Sequence, residues 1–206
     1  SPTTHFCMGG IITNESGETE VSGLFAAGEI CGGAHGANRL GGNALAEVFA
    51  MGSTVGEKSA NFEKKMTTTE SFEDEFAEEI VRLKPKISGK IGTVQNFRRR
   101  LKEVMWDKVG VIRNGYEMEE SLEEIKKIRA IVSELQIEKG REMIKALELQ
   151  NMLLVGEMVT RAALMRTESR GAHYRSDYSE EDTMHWLKNI VVRKGKVGMQ
   201  LEGVPV

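Results

Sequence analysis

The run His35-Gly36-Ala37-Asn38-Arg39-Leu40-Gly41-Gly42 leads directly into Asn43-Ala44-Leu45-Ala46-Glu47-Val48-Phe49-Ala50-Met51, so an open, glycine-rich loop must feed the start of an apolar helix. Twelve of the 22 glycines lie in the first 60 residues, which places the need for close backbone approach and positive φ in that part of the chain. The segment from Asn43 is rich in helix formers, and its apolar residues are dense enough for a buried helix. The first-turn N–H groups of such a helix have no carbonyl one turn earlier to meet. They stabilise a nearby negative charge by roughly 0.3–1 kcal/mol. A phosphate, a carboxylate or an anionic cofactor ring fits that description.

Arg39 stands at the helix entrance with five donors in a planar fork, which suits a carboxylate held through two parallel bonds. The competing reading is an arginine that ties down backbone carbonyls or pairs with a local acid, Glu29 or Glu47. His5 and His35, each taken alone, read more readily as structural groups than as ligands. Glu29 follows Leu24-Phe25-Ala26-Ala27-Gly28, an apolar run that reads as a strand leaving a sheet. A carboxylate at that place suits the hydroxyls of a nucleotide-like ligand. His5, Cys7, Cys31 and His35 form a two-Cys, two-His set, but one intervening residue in the first pair and three in the second lack the usual reach of zinc ligands. No metal site is expected.

The segments His5-Phe6-Cys7-Met8-Gly9-Gly10, Gly23-Leu24-Phe25-Ala26-Ala27-Gly28-Glu29 and His35 to Leu45 resemble the second half of the flavin-binding domain of the fumarate reductase and succinate dehydrogenase flavoprotein subunits, a family that also contains L-aspartate oxidase. The stretch Glu168-Ser169-Arg170-Gly171-Ala172-His173-Tyr174-Arg175-Ser176-Asp177-Tyr178 is similar to the closing region of the same subunits. The resemblance implies an FAD-dependent oxidoreductase that interconverts succinate and fumarate by hydride exchange with the flavin. It implies that His5 and Arg39 grip the carboxylates of a C4 dicarboxylate. It also implies that Glu29 contacts FAD and that Ala44 and Leu45 offer backbone amides to the flavin ring. His35 lies inside the motif without an implied role. An iron-sulfur electron-transfer subunit is the implied partner. The alternatives are an L-aspartate oxidase-type flavoenzyme, or a helical interaction module for the iron-sulfur subunit.

Composition narrows the class further. With 40% hydrophobic and 29% charged residues the chain reads as ordinary globular material, and a net charge of −3 gives no case for nucleic-acid binding. No apolar run approaches the length of a transmembrane segment. Two cysteines provide no disulfide framework and suit a reducing cytoplasm, with a peripheral membrane position through partner subunits as the second option.

Past residue 57 glycines thin out and charge rises. Glu57 to about Leu83 reads as helix interrupted at Thr67-Thr68-Thr69, and Pro85 with Ser88 and Gly89 marks a break. A second helix is expected from Thr93 to Lys108, its Arg98-Arg99-Arg100 cluster on a solvated face, ending before an Asn114-Gly115 turn. Ser121 and Glu124 form a capping-box pattern ahead of Leu122, Ile125, Ile128, Val132 and Leu135. From Arg141 to Thr167 apolar residues spread round most of the helix, as in the middle of a bundle. Ser179-Glu180-Glu181-Asp182 starts a short helical turn, and a hairpin with its turn at Lys194-Gly195-Lys196 closes the chain. Arg170, Arg175 and Asp177 are expected to form ion pairs that dock the tail against the flavin domain.

The expected fold is α+β: a partial FAD-binding α/β segment over 1–60, a helical domain of about three principal helices over 61–178, and a short helical turn with a β-hairpin over 179–206. The chain shows no Gly-x-Gly-x-x-Gly fingerprint and no segment like a capping domain, so the dinucleotide cradle and part of the substrate pocket are expected in a missing N-terminal portion. These 206 residues alone should bind no FAD tightly and show no reductase activity; gel filtration that leaves stoichiometric flavin on the protein would contradict this.

Overall fold

The computed structural model describes residues 5–63, 73, 76–78, 94–134 and 140–206. They belong to two compact units, Ser1–Phe76 and Ala77–Val206. The Thr67-Thr68-Thr69 interruption, the break at Pro85 and the position of Leu135 lie outside the described residues.

In the first unit a long loop wraps one side of helix α1, Asn43–Glu63. Two stretches of that loop meet at backbone distance: the Ile11 amide donates to the Ile30 carbonyl at 2.8 Å, and the Gly32 amide to the Ile11 carbonyl at 3.0 Å. A Cβ on Gly10 would overlap the Ile30 carbonyl oxygen, and one on Gly32 would sit 2.8 Å from the Gly10 nitrogen, so the approach requires glycine on both sides. Phe25 packs edge-on to Phe62 at 5.6 Å.

Two expectations need correction here. The strand over 24–28 is not formed: Phe25 makes one isolated bridge to Glu18, and Gly28 at φ +79 turns the chain into a single 3-10 turn, Gly28–Ile30. An extended run becomes a strand only where a neighbouring ladder takes its hydrogen bonds. Helix α1 begins where expected, but among its described residues only Val55 is buried, while Leu45, Val48 and Phe49 are 67%, 42% and 74% exposed. The loop covers one side of the helix, and the remaining apolar side faces outward.

The second unit is a three-helix bundle of α2 (Val94–Val109), α3 (Gly115–Val132) and α4 (Arg141–Met165). Its core joins Val94 and Leu101 with Ile125, Ile128 and Val132, and with Ala146, Leu149 and Leu153. A second cluster of Val109, Met118 and Ala163 continues it. Gly156, midway along α4, admits this packing: a Cβ there would lie 3.3 Å from the Met105 sulfur and 3.7 and 3.8 Å from Ile125 and Leu101. The arginine cluster of α2 is solvated as expected, with Arg98 on Glu148 and Arg100 on Glu124.

Helix α3 starts six residues before Ser121. Asn114 is its cap: the side chain accepts the Glu117 amide at 2.9 Å and donates to the Glu117 carboxylate at 2.6 Å. Ser121 is buried inside the helix with its hydroxyl on the Met118 carbonyl, so the capping pattern at Ser121 and Glu124 marks no boundary. Both positions satisfy the local pattern, and only Asn114 follows a segment already extended, Ile112–Arg113 (β1), which pairs in parallel with Tyr174–Arg175 (β2). The apolar circumference of α4 is buried on the bundle side, whereas Leu154 and Val155 are 50% and 55% exposed. The expectation of burial all round is therefore met on one side only.

The tail forms helix α5, Thr183–Trp186, capped by Asp182, and an antiparallel hairpin of β3 (Lys188–Gly195) and β4 (Gly198–Pro205). The turn falls at Lys196-Val197, two residues later than its sequence suggests, with Gly198 at φ +106. The ion pairs of this region tie it to the helices of its own unit. Arg175, 2% exposed, takes both oxygens of Asp177 at 2.7 and 2.6 Å, while its Nη1 donates to the carbonyls of Ala163, Leu164 and Arg166 at the end of α4. Asp177 also accepts the Gly115 amide that opens α3. Among the described residues no helix is long and apolar enough to cross a membrane.

Glu168, fully buried, receives Arg166, both Nε and Nη2 of Arg170, and the Asp182 amide. Burial alone would raise its carboxyl; the bonds from Arg170, the Asp182 amide and Arg166 outweigh burial and hold it at about 2, against an ordinary 4.5. Burial, and then the charge of Arg113, pushes His173 down to about 4 from 6.5. Both groups hold their protons less well folded than unfolded, so stability is complete above the ordinary values and falls as protons are taken up. The unit should lose stability from about pH 6.5 toward 4 through His173, and from 4.5 toward 2 through Glu168. In urea titrations across this range Glu168→Gln should flatten the lower part of the dependence, and an unchanged slope would refute the assignment.

Candidate functional site

Arg39 is half-buried at the mouth of α1, and the central carbon of its guanidinium lies over the Phe6 ring, 4.6 Å from the centroid. Such a cation–π contact contributes about 0.5–2 kcal/mol, and the guanidinium carries its N–H groups besides. One of them, on Nη1, donates to the Leu40 carbonyl at 3.2 Å. The Nε group is buried and has no hydrogen-bond partner among the described residues. Glu29 and Glu47, the two acids weighed as partners for Arg39, are engaged elsewhere. Glu29 accepts the Cys7 amide at 3.0 Å, and Glu47 meets His35.

His35 Nε2 and Glu47 Oε2 are 2.8 Å apart, with each side chain only 9% exposed. The His35 ring also meets Phe6 edge to face, with centroids 5.2 Å apart and planes at 74°. A ladder from α1 through Glu47, His35 and Phe6 thus ends on the guanidinium of Arg39. His5 is exposed and adjoins Phe6, so the same peptide segment brings it to this loop. Ala44 and Leu45 occupy the first turn of α1, where amides have no intrahelical partner. Phe6 and Glu47 carry this geometry, yet sequence reasoning assigns Phe6 no place and Glu47 only a pairing with Arg39. The signal for Glu47 is its position one turn inside a helix that starts right after the motif.

The loop leading into α1 is open. A Cβ on Gly33, Gly36, Gly41 or Gly42 would meet nothing within 4 Å, and Gly42 enters the helix at φ +87. Cys31 is buried, and desolvation raises its thiol above the ordinary value, with a smaller push from Glu47 and an opposing bond from Thr13. Among the described residues no three of His, Cys, Asp and Glu converge as a metal would require.

An open glycine loop, an arginine whose buried Nε has no partner among the described residues and a helix start together make a setting suited to an anionic ligand. Residues 98–206 match the family model described as the fumarate reductase flavoprotein C-terminal region, and residues 1–45 match that of the FAD-binding domain. The chain belongs to the fumarate reductase and succinate dehydrogenase flavoprotein family, whose cofactor is FAD. It is 41% identical to an uncharacterized FAD-dependent oxidoreductase of Methanocaldococcus jannaschii over 95% of its length and 36% of that protein's. With the fumarate reductase flavoprotein of Helicobacter pylori it shares 38% identity, over 90% of this chain and 28% of the relative. The fold of a chain of E. coli quinol fumarate reductase superimposes with a TM-score of 0.91 at 29% identity, covering 99% of this chain and 37% of that one. The chain therefore spans about a third of the length of the relatives it matches.

The residues present fit the cofactor: the loop is not filled by the protein's own side chains, and the first turn of α1 presents amides beside it. His35→Ala would strand the buried Glu47 carboxylate without its partner. The substitution should lower the stability of the complete flavoprotein by about 1–3 kcal/mol, and a thermal unfolding midpoint equal to wild type would show the pair to be dispensable.

Proposed function

We propose that the chain is the C-terminal part of a flavoprotein subunit that interconverts succinate and fumarate. The observation that carries this reading is the guanidinium of Arg39, placed over the ring of Phe6 beside the open glycine loop, with a buried Nε that has no partner among the described residues. A donor left unsatisfied in a protein interior is disfavoured, and a carboxylate lying in the plane of the fork would satisfy it. In this reading Arg39 and His5 hold the two ends of a C4 dicarboxylate and orient its central carbons. Glu29 faces FAD with the carboxylate oxygen not taken by Cys7. The amides of Ala44 and Leu45 stabilise negative charge on the flavin ring through the helix start. When bound, FAD supplies two-electron hydride exchange with the substrate.

The rest of the pocket, including the dinucleotide cradle, comes in this reading from the other two thirds of the flavoprotein. The outward apolar residues Leu45, Val48 and Phe49 of α1 are what that portion would cover. An iron-sulfur subunit is the proposed electron partner of the complete protein, and the isolated 206 residues are proposed to be inactive.

In the complete flavoprotein Arg39→Ala should lower dicarboxylate turnover by about two orders of magnitude or more, with flavin still bound, because a buried charged hydrogen-bond partner of the substrate is lost. Steady-state kinetics alongside the flavin absorbance ratio read both. Unchanged kinetics would remove Arg39 from the site.

A further inference from the structure

We propose that Phe6 is a positioning residue for the substrate: its ring, braced edge-on by His35, which Glu47 holds from α1, sets the plane of the Arg39 guanidinium so that its edge meets a carboxylate. The inference rests on the reading of Arg39 given above. An arginine side chain is long and rotamer-rich, so a productive fork needs something to hold it before the substrate arrives. Holding it by its edge would consume the donors the substrate needs. The face of Phe6, 4.6 Å from its central carbon, holds it through a cation–π contact that occupies no oxygen acceptor. Phe6 is in turn fixed by His35 at 5.2 Å between ring centres, and His35 by Glu47 at 2.8 Å. The Arg39 Nε, buried and without a partner among the described residues, is a donor that a carboxylate in the plane of the guanidinium would satisfy.

The test uses the complete, flavin-loaded protein and malonate, a dicarboxylate with no carbon pair to oxidise or reduce, titrated by the change in flavin absorbance. Phe6→Leu, which keeps the bulk and removes the aromatic face, should raise the malonate Kd about tenfold, equivalent to ~1.4 kcal/mol. Its KM for the dicarboxylate should rise by more than its kcat falls, since the guanidinium grips substrate and transition state alike. Phe6→Tyr, which restores the face, should return Kd to within about twofold of wild type. In an Arg39→Ala background Phe6→Leu should have no further effect, because coupled residues are not additive.

A Phe6→Leu protein with wild-type Kd overturns the proposal, and so does an equal loss in the Arg39→Ala background. Should Phe6→Leu not retain flavin, His35→Gln decides: it keeps a donor for Glu47, removes the bracing ring, and should raise Kd about threefold. No change there, or flavin loss from both variants, overturns the proposal. If Arg39→Ala itself leaves malonate binding intact, the functional reading has failed and the inference with it; if Arg39→Ala weakens binding and Phe6→Leu does not, the positioning role alone has failed.

Discussion

Arg175 is the buried charge on which the helical unit closes. Its guanidinium spends its donors on the fold: two on Asp177 and three contacts on the last carbonyls of α4, while Asp177 reaches across to the first amide of α3. One fork thus ties a helix end, a helix start and the segment leading to the hairpin. A charge at 2% exposure is tolerable only with that degree of satisfaction. The same logic governs Glu168, whose carboxylate is covered by Arg166, Arg170 and the Asp182 amide and so joins the α4 exit to α5.

Arg39 is less fully satisfied. Its central carbon lies over the Phe6 ring, one Nη1 donor goes to the Leu40 carbonyl, and its buried Nε has no partner among the described residues. Arg175 also lies over a ring, that of Tyr178 at 5.0 Å, so what separates the two arginines is how many of their donors are satisfied. Composition cannot distinguish the two, because both sit in loops beside glycines and acids. The decision rests on whether the nearby acid is already occupied. Glu47 is committed to His35 and Glu29 to the Cys7 amide, so neither neutralises Arg39.

Much of the architecture is legible from local pattern. The start of α1 after Gly42, the bundle helices, the buried stripe of Ile125, Ile128 and Val132, and the closing hairpin all follow from periodicity and turn chemistry. The misplacements have a common physical cause. Ser121 and Asn114 both satisfy a capping pattern, and the choice between them depends on the β1–β2 pairing, which joins residues more than sixty positions apart. Leu24 to Gly28 has strand composition but no ladder to join. Arg170, Arg175 and Asp177 are legible as ion-pairing residues, whereas the carbonyls and amides of α3 and α4 that they also engage are not.

By itself the sequence determined the family and the local setting: the glycines that open the loop, Arg39 at a helix entrance, and the motif around them, since these depend on residue type and short-range spacing. Only the tertiary structure decided what each charge does. Partner choice among Arg39, His35, Glu29 and Glu47 is set by which side chains the folded loop brings within 3 Å, and the part played by Phe6 emerges only when its ring comes to lie between an arginine and a histidine far along the chain. Hydrogen bonds and stacking act over a few ångströms in space, and distance along the chain does not report that separation.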